Sequence, residues 1–219
     1  SEKNKHVLLS VPNISGNELK YVKECLETGW ISSAGSYVDK FEQMVADYAG
    51  AKYGIATMNG TAALHIALLL EGVKPDDYVI VSNLTFVASA NSIKYTGAIP
   101  ILIDADPNTW QMDLDLLEGF LHNKTTLNSI GERILKSDGK CVRTIMPVHI
   151  QGNIFDIDRF KMICEKYNIS FIEDAAEALG SKYKGKSPGT FGKMGVFSFN
   201  GNKIISSGGG GVIITNDES

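Results

Sequence analysis

The chain has 219 residues, 43% of them hydrophobic and 21% charged, a composition that is typical of globular proteins and excludes a disordered or fibrous chain. The 21 Lys and Arg and the 25 Asp and Glu give a formal net charge of −4 without basic runs, so we expect no nucleic acid partner. No apolar stretch reaches the roughly 18 residues that cross a bilayer and the N-terminal residues carry no secretory signal, so we expect a cytoplasmic protein with no membrane partner.

The predicted elements alternate between helices and strands. Ser15 stands three residues before Glu18, the spacing of a capping box, and predicts a first helix that ends at Gly29. The elements predicted after it are, in chain order, helix 37–49, strand 54–57, helix 61–70, strand 78–81, helix 86–95, strand 100–103, helix 113–121, strand 142–147, helix 156–167, strand 170–173 and strand 211–215. Strands separated by helices of this length indicate crossover connections, so we predict an α/β fold with a mostly parallel sheet sandwiched by helices.

Two places break this alternation. The polar stretch 122–140 contains Gly131 and Gly139, and we expect it to be a surface excursion with one helical turn near 132–136. The alternation also stops at 215–219, directly after a predicted strand, so we expect the chain to be part of a longer protein. We divide it into an N-terminal arm with the first helix, residues 1–35, and a large domain, residues 36–219, that is incomplete at its C-terminal end.

Two patterns point weakly to other chemistry. Residues 180–187 match Gly-x4-Gly-Lys-Ser, the phosphate-binding loop of nucleotide triphosphatases. Such a loop follows a strand and opens a helix, whereas Pro188 and Gly189 follow it here, so the pattern favours a lysine-containing surface loop. The three cysteines are widely spaced and lack the close pairs of a zinc site, so we expect reduced thiols and no bound metal.

Three elements at the ends of predicted strands point to one cofactor chemistry. Gly60 and Thr61 open an apolar helix whose backbone amides can receive a phosphate, Asp174 follows a strand, and Lys203 lies among small residues after another strand. Each alone is compatible with a bland role, as a helix start, a solvated polar cap or a surface cation. Together they match pyridoxal 5′-phosphate (PLP), because a lysine forms an imine with its aldehyde and a carboxylate keeps its pyridine nitrogen protonated.

Six sequence blocks carry a resemblance to a known family. The blocks are residues 29–42, 59–65, 85–91, 147–152, 173–177 and 198–203. In wording and order they resemble the DegT-type nucleotide-sugar aminotransferases, which are PLP enzymes of fold-type I. The resemblance implies that residues 36–219 form the PLP-binding large domain of such a transferase, without the small C-terminal domain. It also implies a homodimer with shared active sites, and family members are about twice as long.

The resemblance implies a role for each member of the site. Lys203 forms the imine with the cofactor and shuttles protons between cofactor and substrate carbons. Asp174 holds the pyridine nitrogen, and Phe86 stacks on the face of the ring. These three residues are the core of the implied chemistry.

The remaining implied residues bind the cofactor's other polar groups. Gly60 and Thr61 bind the phosphate through backbone and hydroxyl groups, and Ser198 makes a further phosphate contact. Glu177 stands where family members carry Gln, Glu or His near the phenolic oxygen of the cofactor. His149 lies in one of the matching blocks, but no chemical step is assigned to it.

The reaction that the resemblance implies is a two-stage transamination. An amino donor, usually glutamate, converts the cofactor to its amine form, which then aminates a nucleotide-linked keto-sugar, here of the 4-keto-6-deoxy type used for perosamine and legionaminic acid in surface polysaccharides. Three alternatives stay open. They are a PLP-binding sugar dehydratase, which carries His where this chain has Lys203, a non-catalytic protein of the PLP fold, and a nucleotide-binding protein that uses residues 180–187.

Overall fold

The computed structural model describes residues 11–218. The helices in this range are α1 (Glu18–Thr28), α2 (Ser36–Ala49), α3 (Gly60–Leu70), α4 (Val87–Tyr95), α5 (Leu114–Lys124) and α6 (Ile157–Lys166), with a 3₁₀ turn at Ile150–Gly152. The strands are β1 (Tyr53–Thr57), β2 (Tyr78–Ser82), β3 (Ile99–Ile103), β4 (Thr125–Leu127), β5 (Arg133–Leu135), β6 (Val142–Met146), β7 (Ser170–Asp174), β8 (Met194–Ser198) and β9 (Gly211–Thr215). The helices and strands that the sequence predicts are present, with bounds shifted by a few residues.

Seven strands form one sheet, in the order β1-β9-β8-β7-β6-β2-β3. Neighbouring strands are parallel from β8 to β3, whereas β9 runs antiparallel to both β8 and β1. The prediction of a mostly parallel sheet is confirmed. Because β8 and β9 are adjacent and antiparallel, the segment 199–210 between them is a long hairpin loop, closed at its base by the pairing of Ser198 with Gly211.

Helices cover both faces of this sheet, as predicted. Successive strand residues point to opposite faces. Ile80 of β2 packs in the cluster that contains Leu117 of α5 and Phe160 of α6. Its neighbour Val79 packs in a second cluster with Leu64 of α3. Each fully buried leucine or phenylalanine of this kind contributes about 1.5–3 kcal/mol to folding, so the two clusters fix the helices that carry the site.

The start of the first helix differs from the prediction. Asn17 is the N-cap residue of α1 and makes no side-chain capping bond, while the Glu18 carboxylate accepts a hydrogen bond from the Gly16 amide at 2.8 Å. The capping box of Ser15 is therefore wrong, since Ser15 lies two residues before the N-cap. The end is as predicted, because Gly29 adopts the left-handed conformation that closes a helix.

The stretch 122–140 also differs from the prediction. The helical turn expected near 132–136 is wrong, because β5 lies there and forms an antiparallel hairpin with β4. Arg133 is buried, and its Nε donates to the Tyr167 carbonyl at 2.9 Å. This contact ties the hairpin to the end of α6, while most residues of the stretch are exposed, as expected of a surface excursion.

No helix among residues 11–218 is long and apolar enough to cross a membrane. The helix α1 stands apart from the hydrophobic clusters, and none of its residues is buried. Its apolar side chains Leu19, Val22 and Leu26 are exposed.

Candidate active site

A cavity of about 310 Å³ lies beyond the carboxyl ends of β7 and β8, against the N-terminus of α3. Ligands of parallel sheets bind at this edge. The structure brings the seven residues for which the resemblance implies a cofactor contact to the lining of this one cavity. They are Gly60, Thr61, Phe86, Asp174, Glu177, Ser198 and Lys203.

A larger groove of about 720 Å³ lies at the opposite edge of the sheet, where β6 and β7 begin. Several of its charged side chains are engaged with one another or with neighbours. Arg143, for example, pairs with Asp77 at 3.1 Å and with Glu132 at 3.2 Å. The smaller cavity is the better candidate because chemically reactive side chains converge on it.

The N-terminus of α3 forms one wall of the cavity. The Asn59 side chain accepts a hydrogen bond from the Ala62 amide at 2.8 Å, which caps the helix. The Thr61 amide has no partner within the helix, and the positive end of the helix dipole favours an anion there. A β-carbon at Gly60 would lie only 2.9 Å from the Ser198 β-carbon, so this wall requires glycine. A phosphate group fits a concave wall of this kind.

Asp174 provides a buried carboxylate at the end of β7. Asp174 is 4% exposed, and its Oδ2 accepts a hydrogen bond from Ser89 Oγ at 2.6 Å. Its Oδ1 accepts a hydrogen bond from the Ala176 amide at 3.1 Å. Burial raises the pKa of the Asp174 carboxyl, whereas the hydrogen bonds from Ser89 and Ala176 act in the opposite direction. The acid is thus desolvated but held by donors that favour its anion.

Lys203 provides an amine on the hairpin loop between β8 and β9. Its side chain is 12% exposed, and its Nζ lies 3.1 Å from Glu177 Oε1. The other carboxylate oxygen of Glu177 accepts a hydrogen bond from the Gln151 amide at 2.8 Å. Glu177 therefore connects the lysine to the 3₁₀ turn on the other side of the cavity.

Phe86 and Ser198 complete the predicted set. Phe86 is the N-cap residue of α4 and is 67% exposed, so its ring is free to cover a planar ligand. Ser198 ends β8, and a β-carbon at Gly60 would lie 3.2 Å from its Oγ. The Ser198 hydroxyl thus lies at the same helix N-terminus as Thr61.

The sequence pattern does not reveal two supporting contacts. Ser89, which bonds Asp174, is buried on α4 and lies within the block 85–91, where only Phe86 was given a role. Glu173 and His149 are also buried and lie 2.8 Å apart between Oε2 and Nε2. For the Glu173–His149 contact, the one available signal was the position of Glu173 next to Asp174 at the end of a strand. Adjacent strand residues face opposite sides of a sheet, so only one of these two acids can point into the cavity.

The loop 180–187 does not have the geometry of a phosphate-binding loop. Tyr183 and Lys186 exchange two backbone hydrogen bonds, of 2.9 and 3.0 Å, which makes a tight turn. No helix follows this turn before β8 in the part of the chain that the structure describes. The surface-loop interpretation is supported.

The site as a whole fits PLP. A helix N-terminus without room for a β-carbon suits a phosphate group, a buried acid suits a pyridine nitrogen, and a nearly buried amine suits an aldehyde. An α/β sheet with these groups at its carboxyl edge defines a PLP-binding protein of fold-type I.

The chain belongs to the DegT/DnrJ/EryC1/StrS aminotransferase family, whose sequence model matches residues 12–219. A GDP-perosamine synthase of Caulobacter vibrioides is 45% identical over 212 residues, which are 97% of this chain and 53% of that protein. A GDP-perosamine synthase of Escherichia coli O157:H7 is 44% identical over 215 residues, 98% of this chain and 54% of that protein. The chain therefore spans about half the length of the curated relatives it matches.

Solved structures agree with this assignment. A sugar aminotransferase structure from Streptococcus pneumoniae, solved in its PLP form, matches with a TM-score of 0.83 at 28% identity. The match covers 97% of this chain and 53% of the Streptococcus chain. The PMP form of the same protein, with the amine form of the cofactor, gives 0.84. The resemblance seen in the sequence is confirmed, and PLP is the cofactor of this family.

Proposed function

We propose that the full-length protein is a PLP-dependent aminotransferase that converts a nucleotide-linked keto-sugar to the corresponding amino sugar. The observation that carries this proposal is the convergence of the Lys203 amine, the buried Asp174 and the N-terminus of α3 on one cavity. The proposed acceptor is a 4-keto-6-deoxy sugar, the proposed amino donor is glutamate, and the proposed pathway is surface polysaccharide biosynthesis.

The chemistry divides between cofactor and protein. Bound PLP supplies an aldehyde that condenses with amines and a ring that accepts the electron pair from a broken carbon–hydrogen bond. In the proposed roles, Lys203 holds the cofactor at rest and then carries protons on its Nζ, and Asp174 accepts a hydrogen bond from the pyridine nitrogen. Because Asp174 is buried, its charge acts on the ring with little screening by water.

The other lining residues bind and orient the cofactor in this proposal. The Gly60 and Thr61 amides and the Ser198 hydroxyl hold the phosphate at the positive end of α3. Phe86 covers one face of the ring and excludes water from it. Glu177, which pairs with Lys203 at 3.1 Å, lies beside the amine and is assigned to the phenolic oxygen.

Replacing Gly60 with alanine is expected to weaken PLP binding roughly tenfold or more, about 1.4 kcal/mol. The new methyl group would lie 2.9 Å from the Ser198 β-carbon, so the wall that holds the phosphate has to open. Equilibrium titration with PLP measures the effect. Gly119→Ala is the matched control, because Gly119 is in helix α5 and its β-carbon meets open space. Equal affinities in the two variants would contradict the phosphate assignment.

The substrate class is supported by the relatives. Two of them are GDP-perosamine synthases that match nearly all of this chain. Lys203 also favours amination over dehydration, since a sugar dehydratase of this type carries histidine at that position. Both points concern the half of the protein that carries the lysine and the cofactor pocket.

We further propose a cytoplasmic homodimer with shared active sites, and we keep the division into residues 1–35 and 36–219. The exposed apolar side chains of α1 support an interface, because exposed apolar surfaces of this kind are usually covered by a partner. Sedimentation of the full-length protein as a monomer would contradict the dimer.

The decisive experiment incubates full-length protein with glutamate and a panel of nucleotide-linked ketosugars, and identifies the products by mass. The expected product carries an amino group and a hydrogen in place of the carbonyl oxygen, and 2-oxoglutarate is released. A product that has lost a ring hydroxyl instead would identify a dehydratase. Absence of turnover with every sugar, in a protein that binds PLP, would favour the non-catalytic alternative.

A further inference from the structure

A chain of two hydroxyl groups leads from the cavity wall to the buried acid. Thr85 lines the cavity, and its Oγ1 lies 2.7 Å from Ser89 Oγ. Ser89 Oγ lies in turn 2.6 Å from Asp174 Oδ2. Ser89 is completely buried, so water does not compete for these contacts.

The direction of these hydrogen bonds is fixed when Asp174 is ionised. A carboxylate only accepts, so Ser89 must give its single hydroxyl proton to Oδ2. Ser89 Oγ can then only accept from Thr85, whose other contact, to the Phe86 carbonyl, is longer at 3.2 Å. A separation of 2.6 Å is typical of a hydroxyl bound to an anion.

Several groups around Asp174 act on the pKa of its carboxyl besides the Ser89 hydroxyl. Lys203 on the hairpin loop and His149 after β6 both favour the anion, whereas burial, the largest influence, raises the pKa of the acid. The Ser89 hydroxyl is the strongest of the influences that lower this pKa, ahead of the Ala176 amide. It is a neutral donor, so it acts whatever the protonation states of the lysine and the histidine.

We propose that Ser89, supported by Thr85, is a positioning residue that holds the Asp174 carboxylate in one orientation and as an anion. This is the form that the pyridine nitrogen of the cofactor requires, so the inference rests on the proposed function. Ser89 does not line the cavity and acts only through Asp174.

The test compares two serines of the same helix. Ser89→Ala removes the donor to Asp174. Ser92→Ala is the matched control, because Ser92 is equally buried on α4 but donates to the backbone carbonyl of Ser89 at 2.8 Å. Ser89→Thr keeps a hydroxyl and tests rescue. The first readout is the NMR pH titration of the ¹³C-labelled Asp174 carboxyl in cofactor-free protein, assigned with Asp174→Asn.

We expect Ser89→Ala to raise the midpoint of this titration by about one pH unit, a tenfold change in the ionisation constant. Ser92→Ala should titrate like the wild type, and Ser89→Thr should lie closer to the wild type than Ser89→Ala does. Equal midpoints in Ser89→Ala and Ser92→Ala would overturn the inference.

The second readout is binding of 4′-deoxypyridoxine 5′-phosphate, which keeps the ring nitrogen and phosphate but cannot react with Lys203. At neutral pH we expect Ser89→Ala to bind it about tenfold more weakly than Ser92→Ala, since one charge-assisted hydrogen bond is lost. Failure of the wild-type protein to bind this probe would overturn the proposed function, whereas the comparison of the Asp174 midpoints would still decide whether Ser89 holds the carboxylate as an anion. Wild-type binding with equal affinities of the two variants would overturn the inference alone.

Discussion

Replacing Lys203 with alanine will abolish both the yellow colour of the intact protein and the imine that borohydride reduces. The reason is that the covalent link to the cofactor requires this amine, which is 12% exposed and lines the cavity. Transamination should fall roughly a thousandfold or more, because the residue that moves the protons is lost as well. Absorption spectra and mass spectrometry after borohydride reduction measure the effect.

Lys186→Ala is the matched control for this prediction. Lys186 lies in the tight turn of the 180–187 loop, outside the cavity. It should keep the colour and the reducible imine. If Lys186→Ala abolished binding of ATP while the wild type showed no cofactor absorption, the nucleotide-binding alternative would replace the aminotransferase. A Lys203→Ala protein that still formed the imine would overturn the lysine assignment.

Replacing Glu173 with glutamine is expected to lower the free energy of unfolding by roughly 3–5 kcal/mol. The Glu173 carboxylate is buried and accepts four hydrogen bonds. Oε2 accepts from His149 and from the Gly189 amide, each at 2.8 Å. Oε1 accepts from the Phe191 and Gly192 amides at 2.7 and 2.8 Å. In glutamine one oxygen becomes an NH₂ group, which would face two donors without an acceptor.

Urea unfolding of the two proteins measures this loss. Glu118→Gln is the control, because Glu118 is a partly exposed acid that pairs with Lys166 at the surface. Its replacement should change the free energy of unfolding by less than about 1 kcal/mol. Similar losses in the two variants would mean that the four hydrogen bonds to Glu173 contribute no more to the free energy of unfolding than a surface ion pair.

The alternation of helices and strands was predictable because hydrophobic periodicity and glycine stops are local signals. The 125–135 hairpin was not predictable, because each of its strands has three residues, too few to show alternation. Arg133 is buried in it, although an arginine in a sequence normally indicates an exposed position. The reversed direction of β9 depends on its pairing with β8 through a loop of irregular backbone and with β1, a strand more than 150 positions earlier, and no local pattern encodes either pairing.

The candidate site was predictable where a residue type itself bears the chemistry. Lys203, Asp174 and Gly60 each stand next to a predicted strand or helix end, and the fold brings these ends to one edge. Ser89 was not predictable, because a serine in the first turn of a helix is common and carries no spacing that points to Asp174. Its significance comes from a contact with Asp174, 85 positions away in the chain.

The hairpin loop between β8 and β9 has a consequence for how the amine is delivered. Both ends of residues 199–210 are fastened to adjacent strands, and further hydrogen bonds join Phe199 to Gly210 and Ser207 to Phe199. Lys203 therefore lies on a backbone loop whose two ends are held together by hydrogen bonds and cannot separate. Insertions, deletions or substitutions in the middle of this loop would alter the reach of the amine. They would leave the sheet undisturbed, including Asp174 on β7, the strand next to β8.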